Sequence, residues 1–129
     1  MRRTRILACW LLFVAVAQAT DDKPTLDTDP NLVGWWRFDE SADTVATDSS
    51  RHRRPGALKG GLSFEKDSAP GRVGNAIHLD GGDGHVEITR YKGVTGTRPR
   101  TVAVWIKTAA AQGEILRWGR ADFGQMFTL

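Results

Sequence analysis

The chain has 129 residues, 18 of them basic and 15 acidic, with one cysteine and a formal net charge of +3. That length accommodates one domain of ordinary size and leaves no room for two. A lone cysteine excludes an internal disulfide framework.

The N-terminus explains the charge. Arg2, Arg3 and Arg5 precede an uncharged apolar run from Ile6 to Val16, and Ala17-Gln18-Ala19 supplies a small-x-small site before acidic Asp21-Asp22. This is the layout of a cleaved secretory signal over residues 1–19. The apolar run is shorter than the roughly 20 residues a membrane-spanning helix requires. Cys9 lies inside the run, so the mature chain is expected to carry no thiol and no transmembrane span. Removing Arg2, Arg3 and Arg5 from the 18 basic residues leaves 15 against 15 acidic ones. The balance of residues 20–129 is therefore no argument for nucleic acid or for an acidic partner. The expected location is secreted, periplasmic or at the cell surface.

Residues 20–31 hold Pro24, Pro30 and alternating Asp and Thr, and read as a polar linker. The first strand is expected at Leu32–Phe38. Gly34, Trp36 and Phe38 share one face and Val33, Trp35 and Arg37 the other. Placing Trp36 and Phe38 inward leaves Arg37 in water, which avoids burying an unpaired guanidinium. Trp35 is then a surface aromatic, suited to stacking on a sugar ring.

Asp39 to Arg54 reads as a loop, acidic at its start and basic at Arg51-His52-Arg53-Arg54, closed by Pro55-Gly56. Short strands are expected at Ala57-Leu58 and Leu62-Ser63-Phe64. Ala76-Ile77-His78-Leu79 and His85-Val86-Glu87-Ile88 alternate and flank the turn Asp80-Gly81-Gly82-Asp83-Gly84, the pattern of a hairpin. Ile77, Leu79, Val86 and Ile88 are its expected inward residues. Thr101–Lys107 is the best strand by composition, with Val102, Val104 and Ile106 on one face. Thr108–Gln112 has room for one helical turn, and Glu114–Trp118 reads as a further strand. The chain ends within an apolar run, Gln125–Leu129, which suggests a truncated product or the N-terminal part of a longer domain. Many short strands with Gly and Pro punctuation imply an all-β antiparallel sandwich or jelly roll.

The segments Leu32–Glu40, Asp48-Ser49-Ser50, Gly56-Ala57-Leu58, Gly74–Gly81, His85–Ile88 and Thr101–Lys107 follow one another in an order and spacing that resembles the laminin-G-like domains of the concanavalin A-like lectin/glucanase superfamily, in their bacterial secreted form. The resemblance spans nearly all of residues 32–118. It implies a two-sheet antiparallel jelly roll over residues 32–129, incomplete because such domains carry further strands. It also implies a non-catalytic binding module for carbohydrate or an extracytoplasmic protein, in some relatives with calcium at loop carboxylates.

The candidate chemistry is modest. Hydrolases of this fold carry a Glu-x-Asp-x-x-Glu strand that pairs carboxylates on one face. Glu65-Lys66-Asp67 begins such a pattern, but Ala69-Pro70 follows and the third acid is missing, so no catalytic residue is assigned. Asp80, Asp83 and Glu87 fall near one turn and are the candidate calcium ligands, against the simpler reading that Asp and Gly form turns. A second acidic group, Asp39, Asp43 and Asp48, runs into the cationic stretch Arg51–Arg54, which would repel a metal. Arg51 and Arg53, with Trp35, are the candidate ligand-binding residues for an acidic or sulfated polysaccharide. An accessory domain of a larger surface protein, without a small ligand of its own, is the alternative, and a glycoside hydrolase a further one.

Overall fold

The structure, a computed structural model, describes residues 25–120 and 126–129. The expected export signal, residues 1–19, and residues 20–24 of the expected linker lie outside these residues. Within them, regular structure is almost entirely β. The exceptions are a 3-10 turn at Leu26–Thr28 and one helical turn, α1, at Phe64–Asp67. No helix among the described residues is long and apolar enough to cross a membrane.

The central element is β2, Gly56–Lys59. Gly56 and Leu58 are buried while Lys59 faces water, the two-residue period of a half-buried strand. It pairs antiparallel on one side with β1, Val45–Ala46, through Val45 opposite Ala57 and Ala46 opposite Gly56. On the other side it pairs antiparallel with β5, His85–Glu87, through Ala57 opposite Glu87 and Leu58 opposite Val86. Two smaller antiparallel pairs complete the architecture. These join β3 (Ser68–Pro70) to β4 (Asn75–Ile77), and β6 (Arg117–Gly119) to β7 (Met126–Thr128).

The core is Ala46 on β1, Leu58 on β2, Leu62 after it and Phe64 on α1, with Trp36, Phe38, Ile77 and Val86 packed around them. Phe64 is the largest apolar side chain fully withdrawn from water. α1 brings it there. The Asp67 carboxylate accepts from the Ser63 N–H at 2.8 Å, closing the turn on itself. Phe64 N–H donates to the Asp43 carbonyl at 3.0 Å, and Asp43 N–H donates to Glu65 Oε1 at 3.0 Å. The turn is thus stapled to the loop ahead of β1. The hydrogen bond from the Asp43 N–H holds the Glu65 carboxyl below its ordinary range.

Several expectations need correction. Leu32–Phe38 is not a ladder strand. It makes one antiparallel bridge, Trp36 to Asp48, and Phe38 turns the chain away with φ at 59°. Trp36 and Phe38 do face the core, and Arg37 lies outward, paired with Asp39 at 2.8 Å. Leu62–Phe64 is no strand, because Phe64 begins α1. The stretch read as a loop between Asp39 and Arg54 contains β1. The expected hairpin does not form: β4 folds back on β3, and β5 joins β2. Ile77 and Val86 point inward as expected, but Leu79 lies past the end of β4 and is 50% exposed.

Thr101–Lys107 forms no strand. Val104, Trp105 and Ile106 are each more than half exposed. β-branched composition favours an extended backbone only where a neighbouring strand takes its N–H and C=O groups. No described segment does so here. Thr108–Gln112 is not helical either.

Candidate functional site

Two neighbouring clefts on the described surface share the segment Thr89–Lys92, which contributes Thr89 and Arg90 to one and Tyr91 and Lys92 to the other. The first, about 330 Å³, is lined by Arg53, Arg54, Pro55, Thr89 and Arg90. The second, about 490 Å³, is lined by Tyr91, Lys92, Thr95, Arg117, Trp118, Gly119 and Arg120. Both are cationic, and no carboxylate lines either.

The β2–β5 register builds the first cleft. Ala57 opposite Glu87 and Leu58 opposite Val86 define an antiparallel pairing. Continued past the end of the ladder, the same register brings Pro55 level with Thr89 and Arg54 level with Arg90. Two basic stretches far apart in sequence therefore meet at one edge of the sheet.

The loop that carries Arg53 and Arg54 is organised by Asp48. Its side chain is buried, with 1% of its surface exposed. Oδ1 accepts from the backbone N–H groups of Trp35 and Ser50, each at 2.9 Å. Oδ2 accepts from the Ser50 hydroxyl and the Arg54 N–H, again at 2.9 Å. Asp-Ser-Ser is a sequence that bonds its own following backbone, and here it also captures a chain thirteen residues upstream. Burial pushes the Asp48 carboxyl up, but the N–H groups of Arg54, Trp35 and Ser50 outweigh it and hold the group below its ordinary range. With its acceptor positions filled, Asp48 is a structural anion and not a metal ligand.

Trp36 and Arg54 complete this anchor. The Trp36 indole N–H donates to the Arg54 carbonyl at 2.9 Å, and the ring lies so closely over Gly34 that any side chain there would collide with it. The Arg54 guanidinium donates to the Val33 carbonyl at 2.8 Å and sits 4.0 Å from the centre of the Tyr91 ring. A second Arg54 nitrogen lies 3.3 Å from His52 Nδ1. Arg54 therefore ties the Leu32–Phe38 segment to Tyr91, which lines the second cleft, and its guanidinium is engaged.

The side chains of Arg53 and Arg90 are not. Neither makes an ion pair or a hydrogen bond among the described residues, and both are exposed. Both also hold left-handed backbone, with φ at 51° for Arg53 and 60° for Arg90. A non-glycine residue pays a steric cost in that region.

The second cleft is more committed. Trp118 stacks on Phe127 with ring centres 4.3 Å apart and planes 16° from parallel, so its face is taken. Gly93, at φ 73°, lies against that indole where a side chain would overlap it. Arg117 pairs with Glu114 at 3.3 Å.

Of the residues expected to bind ligand, Arg53 lines the first cleft, whereas Trp35 and Arg51 line neither. Trp35 is half-buried, with the Arg37 guanidinium 5.4 Å from its ring centre, so a neighbouring cation already attends it. Trp105 is the most exposed tryptophan in the described residues, at 75%, and Arg72 lies over it. The calcium candidates do not converge. Asp80 accepts from Gly82 N–H within its own turn at 2.9 Å, the Asp83 carbonyl meets His85 Nδ1 at 2.8 Å, and Glu87 lies 3.6 Å from the Lys59 ammonium. Among the described residues no three acids, histidines or cysteines gather closely enough to hold a metal ion. The spacing of the three acids suited a turn, but strand pairing turns Glu87 toward Lys59 on β2.

Thr89, Arg90 and Tyr91 carry no site signal in the sequence, because they follow β5, which pairs with β2 and not with the Ala76–Leu79 segment that alternation suggests. The comparisons with protein families, with curated proteins and with solved structures found no match to the chain.

Proposed function

We propose that this chain is an exported, non-catalytic binding module for carbohydrate, built on a laminin-G-like jelly roll. The observation that carries this reading is the first cleft. It is an open, cationic depression of a volume suited to a small ligand group, with a threonine hydroxyl and guanidinium donors on its walls and no carboxylate pair. Such a lining offers donors for hydroxyl and oxyanion acceptors. It offers nothing with which to protonate a glycosidic oxygen or attack an anomeric carbon. The Asp48 anchor is consistent with a scaffold that holds this cleft rigid. Export rests on the basic, apolar and small-residue layout of residues 1–19.

A glycan array probed with the full chain tests the reading. Binding to a defined group of glycans is expected, and binding to none overturns it. Cell fractionation tests the signal: export with cleavage after Ala19 is expected, and retention of the uncleaved chain inside the cell contradicts it.

One observation favours the alternative of an accessory domain in a larger surface protein. Thr101–Lys107 has the composition of a strand, and its residues, Val102 apart, are exposed with no strand beside them among the described residues. A partner domain that supplies a strand would cover them.

A further inference from the structure

We propose that the Arg53–Arg90 cleft binds the oxyanion group, carboxylate or sulfate, of an acidic polysaccharide. This deepens the carbohydrate-binding reading above and rests on it.

Three observations combine. The first is charge without a partner. The cleft is lined by Arg53, Arg54 and Arg90, and Arg54 is spent on Val33, His52 and Tyr91. Arg53 and Arg90 make no ion pair or side-chain hydrogen bond among the described residues, and no acid lines the cleft. The acid nearest in sequence, Asp48, is buried and already bonded to Trp35, Ser50 and Arg54. An anion in the cleft gives these guanidinium groups the partner they lack, and the planar fork of arginine matches carboxylate and sulfate oxygens better than a point charge does.

The second is backbone geometry. Arg53 and Arg90 are two of only four non-glycine residues with left-handed backbone among the described residues. They come from different loops, yet both line this one cleft. Sparsely populated backbone states persist where surrounding structure enforces them, and they cluster at ligand sites. Here the enforcement is visible on one side, where Asp48, Arg54 and Trp36 clamp the loop that carries Arg53.

The third is the charge balance. Outside the export signal the chain is formally neutral. A surface built for nucleic acid would carry a net positive field along an extended track. In the neighbouring cationic cleft Arg117 is paired with Glu114, whereas the Arg53–Arg90 cleft, of about 330 Å³, suits one or two sugar units bearing an anionic group. Thr89 adds a hydroxyl able to donate to, or accept from, a sugar ring.

The test uses the full chain and four polymers: alginate for carboxylate, dextran sulfate for sulfate, dextran as the neutral control, and double-stranded DNA as a phosphate control. Affinity is measured by calorimetry at two salt concentrations. Binding is expected to alginate or dextran sulfate, to weaken with salt, and to exceed binding to dextran and DNA. The variants Arg53→Gly and Arg90→Gly remove the guanidinium while suiting the left-handed backbone, so they are expected to melt no lower than the parent. Combined, they should weaken binding to the acidic polymer at least tenfold. If the glycine pair melts lower, the lysine pair R53K/R90K keeps charge and fold, and a several-fold loss is still expected because the fork is gone. Unchanged affinity in both pairs overturns the proposal, as does equal affinity for DNA. Binding to dextran or to neutral array glycans without acidic selectivity overturns the cleft assignment and leaves the broader carbohydrate reading standing. Binding to no glycan removes both.

Discussion

The Asp48 anchor yields the most exacting test of the fold. Asp48→Asn preserves shape but replaces one carboxylate oxygen with an NH2 group. If the amide oxygen takes the Oδ1 position, the N–H groups of Trp35 and Ser50 keep their acceptor, and the Ser50 hydroxyl can rotate to accept instead of donate. The Arg54 N–H, now facing another donor, loses its partner. The reverse orientation strands two backbone N–H groups, so the first is preferred. A hydrogen bond to a charged acceptor is worth about 1.5–3 kcal/mol, and a buried donor left unpaired costs about 1–3 kcal/mol. The expected destabilisation for Asp48→Asn is therefore about 2 kcal/mol. Asp48→Ala removes the acceptor for all three N–H groups and is expected to cost about 3–5 kcal/mol. Either is a large share of the roughly 5–15 kcal/mol that holds a domain together. Urea denaturation of the full chain, followed by tryptophan fluorescence, measures both. A change below about 0.5 kcal/mol for Asp48→Ala, the range typical of plain surface substitutions, would refute the anchor.

Acid supplies an independent check on the same group. The native Asp48 carboxyl lies below its ordinary value of 3.8, so the unfolded chain binds its proton first as pH falls. Stability from this group is then complete above that value and is lost as pH drops through the lower native pKa. Wild type should lose stability over that window more steeply than Asp48→Asn, which has no proton to take up there. Parallel curves would show that Asp48 does not carry this part of the acid response.

Three further outcomes are expected. Phe64→Ala, which empties the largest apolar site of a small core, should cost about 3–5 kcal/mol in the same denaturation experiment; a cost under about 1 kcal/mol would place Phe64 outside the core. Arg54→Lys keeps the charge but loses the fork that spans Val33 and His52 and the flat contact with Tyr91. It should cost about 1–2 kcal/mol, since charge-assisted bonds of this kind are roughly that strong, and a neutral result would mean that Arg54 is not a tie. Backbone amides of residues 101–107 should exchange with deuterium nearly as fast as in an unstructured peptide, while those of β2 are protected. Strong protection at 101–107 would mean that another strand covers them.

Some of the fold was legible because single residues decide it. Alternation predicts the inward faces of Ile77 and Val86, and the cost of burying Arg37 orients the Trp36 segment correctly. The elements that went astray depend on partners. Val45–Ala46 is too short to carry a period, and it is a strand only because Gly56 and Ala57 lie beside it. Ser68–Pro70 has no strand signal of its own and is a strand because Asn75–Ile77 folds back on it. Phe64 looks like a strand residue until Asp67 reaches back to Ser63. Thr101–Lys107 fails in the opposite sense, with every local preference for a strand and no neighbour among the described residues to bond.

The site was hidden for the same reason. Arg51–Arg54 was visible as a basic run, but a run of arginines is no site until something faces it. What faces it is Thr89–Arg90, and that follows from one fact that composition does not contain: β5 pairs with β2 and not with β4. Had the Ala76–Leu79 segment formed a hairpin with His85–Ile88, Arg90 would have been tied to that hairpin's far end, with no register to bring it level with Arg54. The antiparallel register also explains why the acidic turn Asp80–Asp83 stays clear of the cleft. It lies beyond His85, which pairs with Lys59 at the opposite end of the β2–β5 ladder. Anionic and cationic loops thus sit at opposite ends of one short strand pair. The cleft therefore keeps its charge within a chain whose residues 20–129 are formally neutral overall.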